Sequence, residues 1–323
     1  MKLLKKETIF PVEERPTNNC HASTLLKCAD GFLAAWFGGS KEGNDDVRIW
    51  YARFRGGAWE KPVAVSGTKN EPHWNPVPFR MPNGMIYLFY KVGKSIPKWQ
   101  TFYRISMDEG MTFGEERELV SEDVGGRGPV KNKPILLSNG DVLAPASYEP
   151  SSLEETDTKP WECFTDTSCD NGKTWNRTDY IPKPKGLSVI RPTLWESNEG
   201  NVHMFTRSNG SFIYRSDSSD YGRMWCELYS TEIPHNNSGI DCAVNDQGIL
   251  ALAYNPVASK WGKRTPLQVS FSKDHGQSWY ETVILMDGPG EFSYPAIIAD
   301  GNKFHITFTG SRETIYYCEV GES

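Results

Sequence analysis

Four eight-residue stretches of the chain share one pattern, S-x-D-x-G-x-x-(W/F): SMDEGMTF from Ser106, SCDNGKTW from Ser168, SSDYGRMW from Ser218 and SKDHGQSW from Ser272. Their starts lie roughly 50 to 60 residues apart, the spacing of a repeated supersecondary unit. A second repeat interleaves with the first. A two-residue turn ending in Gly precedes an alternating apolar run at Asp30-Gly31, Asn83-Gly84, Asn139-Gly140, Glu199-Gly200, Gln247-Gly248 and Asp300-Gly301. Period-two alternation after a Gly turn reads as a strand, and about four strand-like runs fit in each period. The prediction is an all-β chain: a six-bladed β-propeller with four-stranded antiparallel blades, one domain over residues 1–323. Two stacked β-sandwiches would carry no fixed period.

Within a blade, the Gly turn is expected to join strands one and two, and the S-x-D-x-G-x-x-W turn strands three and four. The Ser and Asp side chains suit backbone amides across a hairpin, and Gly supplies a positive φ. Asp170 in SCDNGKTW is therefore read as a fastener and not as a catalytic acid, because its motif is used four times. The first blade has a degenerate turn, FRGGAWEKP around Trp59, and the last reaches Ser323 before any such turn. Its missing outer strand is expected from the N-terminal segment near Thr8 to Phe10.

Composition agrees with short strands and tight turns: 12% aromatic residues beside 29 Gly and 21 Pro. A net charge of −6 argues against a sequence-independent grip on nucleic acid. The opening MKLLKKETIFPVEERP has no long apolar run, so no membrane span and no signal peptide are expected, and the chain as given reads as cytoplasmic, or secreted if a leader was removed. Seven cysteines without a C-x-x-C pair, and six histidines without H-E-x-x-H, give no support for a metal centre, and no cofactor is expected.

In a propeller, the loops entering strand one and those joining strands two and three open on the same face, away from the Asp turns. Those loops carry His21 and Ser23, the run SKEGNDD from Ser40, His73 and Asn75, Arg127, Lys131 and Lys133, Tyr148 and Glu149, Arg191, Arg207, Asn237 and Asp241, Arg264, Tyr294 and Arg312. Singly, each reads as a solvated or packed residue. Recurring at one topological position in successive blades, they place both signs of charge around one concavity, which suits an anionic ligand.

Together with the four boxes, the stretches AWFGGSKEGNDDVRIWYAR, HWNPV, GPVKNKPI, NNSGID and EFSYPA resemble the sialidase (neuraminidase) superfamily, in particular its bacterial and fungal sialidase-like proteins with Asp-box (BNR) repeats. The resemblance covers nearly the whole chain. It implies an acid/base at Asp45, with Asp46 a competing choice, two arginines of a carboxylate-gripping triad at Arg207 and Arg264, and a tyrosine nucleophile at Tyr294. The chain departs from the family in three places. Cys20-His21-Ala22-Ser23 stands where an R-I-P motif is usual, Ser40 stands at another pocket arginine, and Arg191 in VIRPTLW falls where the glutamate that assists the tyrosine belongs. These departures imply a pocket with a carboxylate lost and its cations rearranged.

The leading expectation is an exo-acting glycosidase that removes a terminal acidic sugar, with Asp45, Tyr294, His21 and His73 as candidate catalytic groups. Arg191, Arg207, Arg264, Asn75, Arg127, Lys131, Asp241 and Arg312 are candidate substrate ligands, and the expected partner is an acidic oligosaccharide. A uronate-polysaccharide lyase is the second reading, with a His or Tyr base and an Arg to neutralise the carboxylate. A non-catalytic glycan-binding propeller is the third, with Trp36, Trp74, Trp99 and Trp261 stacking on sugar rings.

Overall fold

The computed structural model describes residues 1–65, 67, 69–150 and 160–322. Its strands form six antiparallel sheets arranged around a central axis as a six-bladed β-propeller. The innermost strands, in chain order, are Asn19–Cys28, His73–Arg80, Ile135–Leu136, Val189–Asn198, Asp241–Val244 and Phe292–Asp300. Each Gly turn lies between the first and second strands of its blade, and each Asp box between the third and fourth. In the first blade the outer edge is split: Ala58–Trp59 and Val63–Ala64 both pair with Arg48–Arg55.

The last blade is completed by the N-terminus. Lys2–Thr8 pairs antiparallel with Thr314–Gly321, from Lys2 opposite Gly321 to Thr8 opposite Tyr316. The strand thus starts earlier than the expected segment near Thr8 to Phe10. Ile9 continues its pairing through an N–H bond to the Ile315 carbonyl at 2.8 Å.

Burial follows the ring. Six apolar clusters fill the seams between neighbouring blades, as where Phe37 and Ile49 of blade one meet Leu88 and Tyr90 of blade two, or Phe271 of blade five meets Phe304 of blade six. Aromatic and branched side chains on alternate strand positions supply these seams, since a pleated strand buries every second residue on a given face. Trp36, Trp74 and Trp99 belong to the seams and are almost wholly buried, which removes them as sugar platforms. Trp261 is 45% exposed.

The Asp boxes link blades as well as hairpins. In the Ser168 box, the serine hydroxyl donates to Asp170 at 2.9 Å and accepts from the Gly172 amide at 2.8 Å, while Asp170 accepts from the Thr174 amide at 2.9 Å. A Cβ on Gly222 of the next box would lie 2.6 Å from a Leu143 methyl of the preceding blade, and the backbone there has φ +78, a conformation that favours glycine.

Candidate active site

At one end of the axis every blade carries a residue with left-handed backbone: Ala22 (φ 54), Asn75 (φ 47), Lys131 (φ 68), Arg191 (φ 54), Asn237 (φ 56) and Tyr294 (φ 55). They recur with the period of the blades. In blades one, two, four and six the pairing register shifts at these residues, between His21 and Thr24, Trp74 and Val77, Ile190 and Thr193, and Ser293 and Ala296. Such bulges re-aim side chains out of the pleat. A bulky residue with positive φ costs about 1–3 kcal/mol and persists only where its surroundings fix it. In three cases the next residue is proline (Pro76, Pro192, Pro295), which has no N–H for the ladder.

Each proline carbonyl meets a side chain from another blade. Thr24 donates to Pro76 O at 2.8 Å. Asn132 donates to Arg191 O at 3.0 Å and Pro192 O at 2.9 Å. The Lys131 amine donates to Pro295 O and, at 3.1 Å, to Ile240 O. These buried donors replace the ladder bonds that the bulges forfeit.

Tyr294 lies at the centre of the resulting cluster. Its hydroxyl oxygen accepts a bond from Arg191 Nη1 at 2.7 Å and another from Arg207 Nη1 at 2.9 Å. The guanidinium carbons of Arg191, Arg207 and Arg264 lie 5.5, 5.7 and 5.4 Å from its ring centroid, and the His21 ring packs on it with centroids 4.1 Å apart. Burial alone would raise the phenol's pKa, but Arg191, Arg207 and Arg264 outweigh it and bring the value down to about 7. Burial, reinforced by Arg312 and Arg264, holds His21 well below its ordinary value. Its Nδ1 is 3.0 Å from Thr309 Oγ1, and its buried Nε2 has no partner among the described residues.

Three carboxylates border the four arginines. Glu149 accepts from Arg191 Nη2 at 3.3 Å. Glu291 accepts from Arg264 Nη1 at 2.7 Å and Arg312 Nε at 2.9 Å, and Glu42 receives Arg312 Nη1. Arg207 is anchored by Asn237, whose side-chain oxygen accepts from Nε at 3.1 Å. Beside the cluster opens a cavity of about 360 Å³ lined by Asn236, Trp261, Gly262, Lys263, Arg264, Glu291 and Arg312. The Arg207 guanidinium lies 6.0 Å from the Trp261 ring. Roomier concavities, of about 430 Å³ around Lys133 and Leu136 and about 690 Å³ beside Cys169, have no part of this cluster in their walls.

The structure therefore gathers Tyr294, Arg191, Arg207, Arg264, Arg312 and His21, and sends other expected site residues elsewhere. Lys131 is fully buried with its amine spent on two carbonyls, a support beneath the site and not a substrate ligand. Asp241 is buried too. Lys133 bonds both its oxygens, at 3.1 and 3.0 Å, Oδ1 also accepts from Thr193 Oγ1 and the Cys242 amide, and Oδ2 from the Ile297 amide, so the carboxylate is fully engaged within the fold. Arg127 is bound to Asp166 at 2.8 Å. His73 is buried against Tyr90, its Nδ1 2.8 Å from Glu71 O and its Nε2 3.9 Å from Glu116. Asn75 is the blade-two counterpart of Tyr294 in backbone position, and its side chain is likewise buried.

In the first-blade loop, Asp46 accepts from the Ser40 amide and hydroxyl, both at 2.9 Å, and is committed to the turn. Asp45 is half exposed and, among the described residues, its carboxylate pairs with Lys94 Nζ alone, at 2.9 Å. Between these two carboxylates, Asp45 is the one at liberty to approach a ligand.

Residues 30–306 match the family described as the BNR repeat-like domain. Among solved structures, a protein of unknown function from Dyadobacter fermentans is similar over 100% of this chain and 99% of its own, with a TM-score of 0.79 and 11% identity. The Hadza microbial sialidase Hz136 is similar over 98% of this chain and 68% of its own (TM-score 0.81, 16% identity). A point mutant of the NanB sialidase from Streptococcus pneumoniae is similar over 94% and 68% (TM-score 0.73, 11% identity). At these identities the likeness is one of fold. No curated protein matches the sequence.

Proposed function

The chain belongs to the BNR repeat-like domain family, and on that premise we propose that it is an exo-acting glycoside hydrolase that removes a terminal acidic sugar, a sialic acid or a related ulosonic or uronic residue, from glycans. The observation that carries this reading is the Tyr294 hydroxyl held between Arg191 and Arg207 on the propeller axis. A nucleophile fixed among cations suits a substrate whose reacting carbon bears or adjoins a carboxylate. Tyr294 attacks the anomeric carbon, and Asp45 protonates the leaving oxygen and then takes a proton from the attacking water. Among the described residues Arg264 bonds Glu291 and Ser293 through Nη1 alone, which leaves Nε and Nη2 for a sugar carboxylate. The sialidase-like neighbours support the same substrate class.

A second reading, lyase action on a uronate chain, is favoured by one feature: His21 packs on Tyr294 with an Nε2 that has no partner among the described residues, a pair that suits proton abstraction next to a neutralised carboxylate. Mass spectrometry of the products from a panel of acidic oligosaccharides separates the readings. Addition of water marks hydrolysis, and an unsaturated product without added water marks elimination. Unchanged but retained ligand marks a binding protein, with Trp261 as its exposed aromatic. Tyr294→Phe is expected to reduce hydrolysis by on the order of 10³-fold or more. Full hydrolytic activity in that variant would end the nucleophile assignment.

A further inference from the structure

Arg191 stands where the resemblance to sialidases implies a carboxylate, and its contacts say what it does there. A neutral phenol must give its proton to an acceptor. The Tyr294 oxygen instead receives two guanidinium donors, and guanidinium has no lone pair to take a proton in return. Among the described residues no acceptor receives a bond from this hydroxyl, although the side chain is buried. The other groups facing it are mostly cationic or neutral: Arg264 near its ring, His21 stacked on it, and Lys131 packed beneath it across Gly239. The nearest carboxylates, Glu149, Glu291 and Glu42, are each engaged by an arginine.

We infer that Tyr294 is a resident phenolate, activated by Arg191 and Arg207, and that the substrate carboxylate is received by Arg264 and Arg312 instead of by the pair that holds the phenolate. The inference rests on the hydrolase reading for its chemistry and changes the first step. No base has to remove a phenol proton. The phenolate oxygen forms the bond to the anomeric carbon as the glycosidic C–O bond breaks, and the departing oxygen takes the proton of Asp45. Water then attacks the same carbon and gives a proton to Asp45, and the phenolate leaves with its electron pair. Two guanidiniums on the oxygen offset the repulsion between an anionic nucleophile and an anionic sugar.

The protonation state is readable without turnover. With ¹³Cζ-labelled tyrosine, one of the 14 tyrosine signals is expected at the phenolate position by roughly pH 8.5, well below the value of about 10 at which free tyrosine ionises. It should vanish in Tyr294→Phe and move to the phenol position in Arg191→Gln. In the unsubstituted protein the signal should titrate near pH 7. If all 14 signals stay at the phenol position until the pH approaches that of free tyrosine, about 10, the inference is overturned whatever the enzyme does. A near-ultraviolet phenolate band in the unsubstituted protein, measured against Tyr294→Phe, gives the same answer should Arg191→Gln fail to fold.

Turnover supplies the second arm. With a substrate whose leaving group needs no proton from Asp45, such as a nitrophenyl glycoside, the rate of glycosyl-enzyme formation is expected to rise with pH through about 7, because the ionised tyrosine is the active form. Arg191→Gln should push that limb to higher pH with KM little changed, whereas Arg312→Gln should raise KM roughly tenfold or more and leave the limb in place. A KM effect confined to Arg191 would overturn the division of labour. A phenolate signal with no turnover on any acidic oligosaccharide would sink the hydrolase reading and leave the ionised tyrosine standing.

Discussion

Gly239 shows how closely the site is built at the level of single atoms. A Cβ there would lie 3.0 Å from Tyr294 Cγ and 3.1 Å from both Tyr294 Cα and Lys131 Cε. Gly239→Ala is therefore expected to shift the tyrosine by a few tenths of an ångström and lower kcat by roughly 10- to 100-fold, with an overpacking cost of about 1–3 kcal/mol. Steady-state kinetics beside a thermal melt would check this, and unchanged kcat would show that the tyrosine tolerates displacement. The sequence located the residues around this glycine unevenly. Tyr294, Arg191, Arg207, Arg264 and Arg312 stood out by position in the blade. Lys131 and Asp241 stood out equally, and nothing in a sequence distinguishes a cation aimed at a ligand from one spent on a bulge carbonyl. The bulges themselves left a trace: Asn75-Pro76, Arg191-Pro192 and Tyr294-Pro295 recur at the entry to an innermost strand, and a proline inside a central strand signals a broken ladder. Glu42 stood only inside SKEGNDD and Glu291 only inside EFSYPA, neither singled out, because their importance comes from the arginines that fold against them.

The Asp box is the element whose role was most readable from sequence, since spacing alone marked it as a hairpin device. Only the fold shows that its glycine lies against the neighbouring blade, because seam contacts join residues far apart in the chain. Bonds from the side chain and amide of Thr174 hold the Asp170 carboxyl down at about 2, and bonds from Ser278 do the same for Asp274. A carboxyl whose folded pKa lies below its unfolded value of about 4 adds stability above that value, and loses it as pH falls through about 2. Replacing Asp274 by Ala is expected to cost about 1 kcal/mol at neutral pH, a modest figure because solvent screens so exposed a group. The difference from the unsubstituted protein should shrink between pH 4 and 2. Urea melts across that range would test it, and a pH-independent difference would show that packing, not the carboxylate, carries the box.

At the scale of the whole molecule, the ring is closed by the pairing of Lys2–Thr8 on Thr314–Gly321 together with the apolar seam between the last blade and the first. Removal of residues 1–8 would leave the backbone groups of that last strand as an open edge, and such edges recruit other chains. The truncated protein is expected to melt at lower temperature and to self-associate in sedimentation. A synthetic peptide KLLKKET should restore the monomer by adding the missing strand. Failure of the peptide, with the ring stable without it, would make the pairing incidental. The six-fold count and the need for an N-terminal strand were legible from the turns, but the start at Lys2 was not, because a lysine-rich run carries little strand signal. That pairing also fixes a timetable. At ribosomal speeds of about 5–20 residues per second, Lys2–Thr8 waits on the order of tens of seconds for a partner almost a full chain away. Its lysines, Lys2, Lys5 and Lys6, guard a bare edge against premature company throughout that wait.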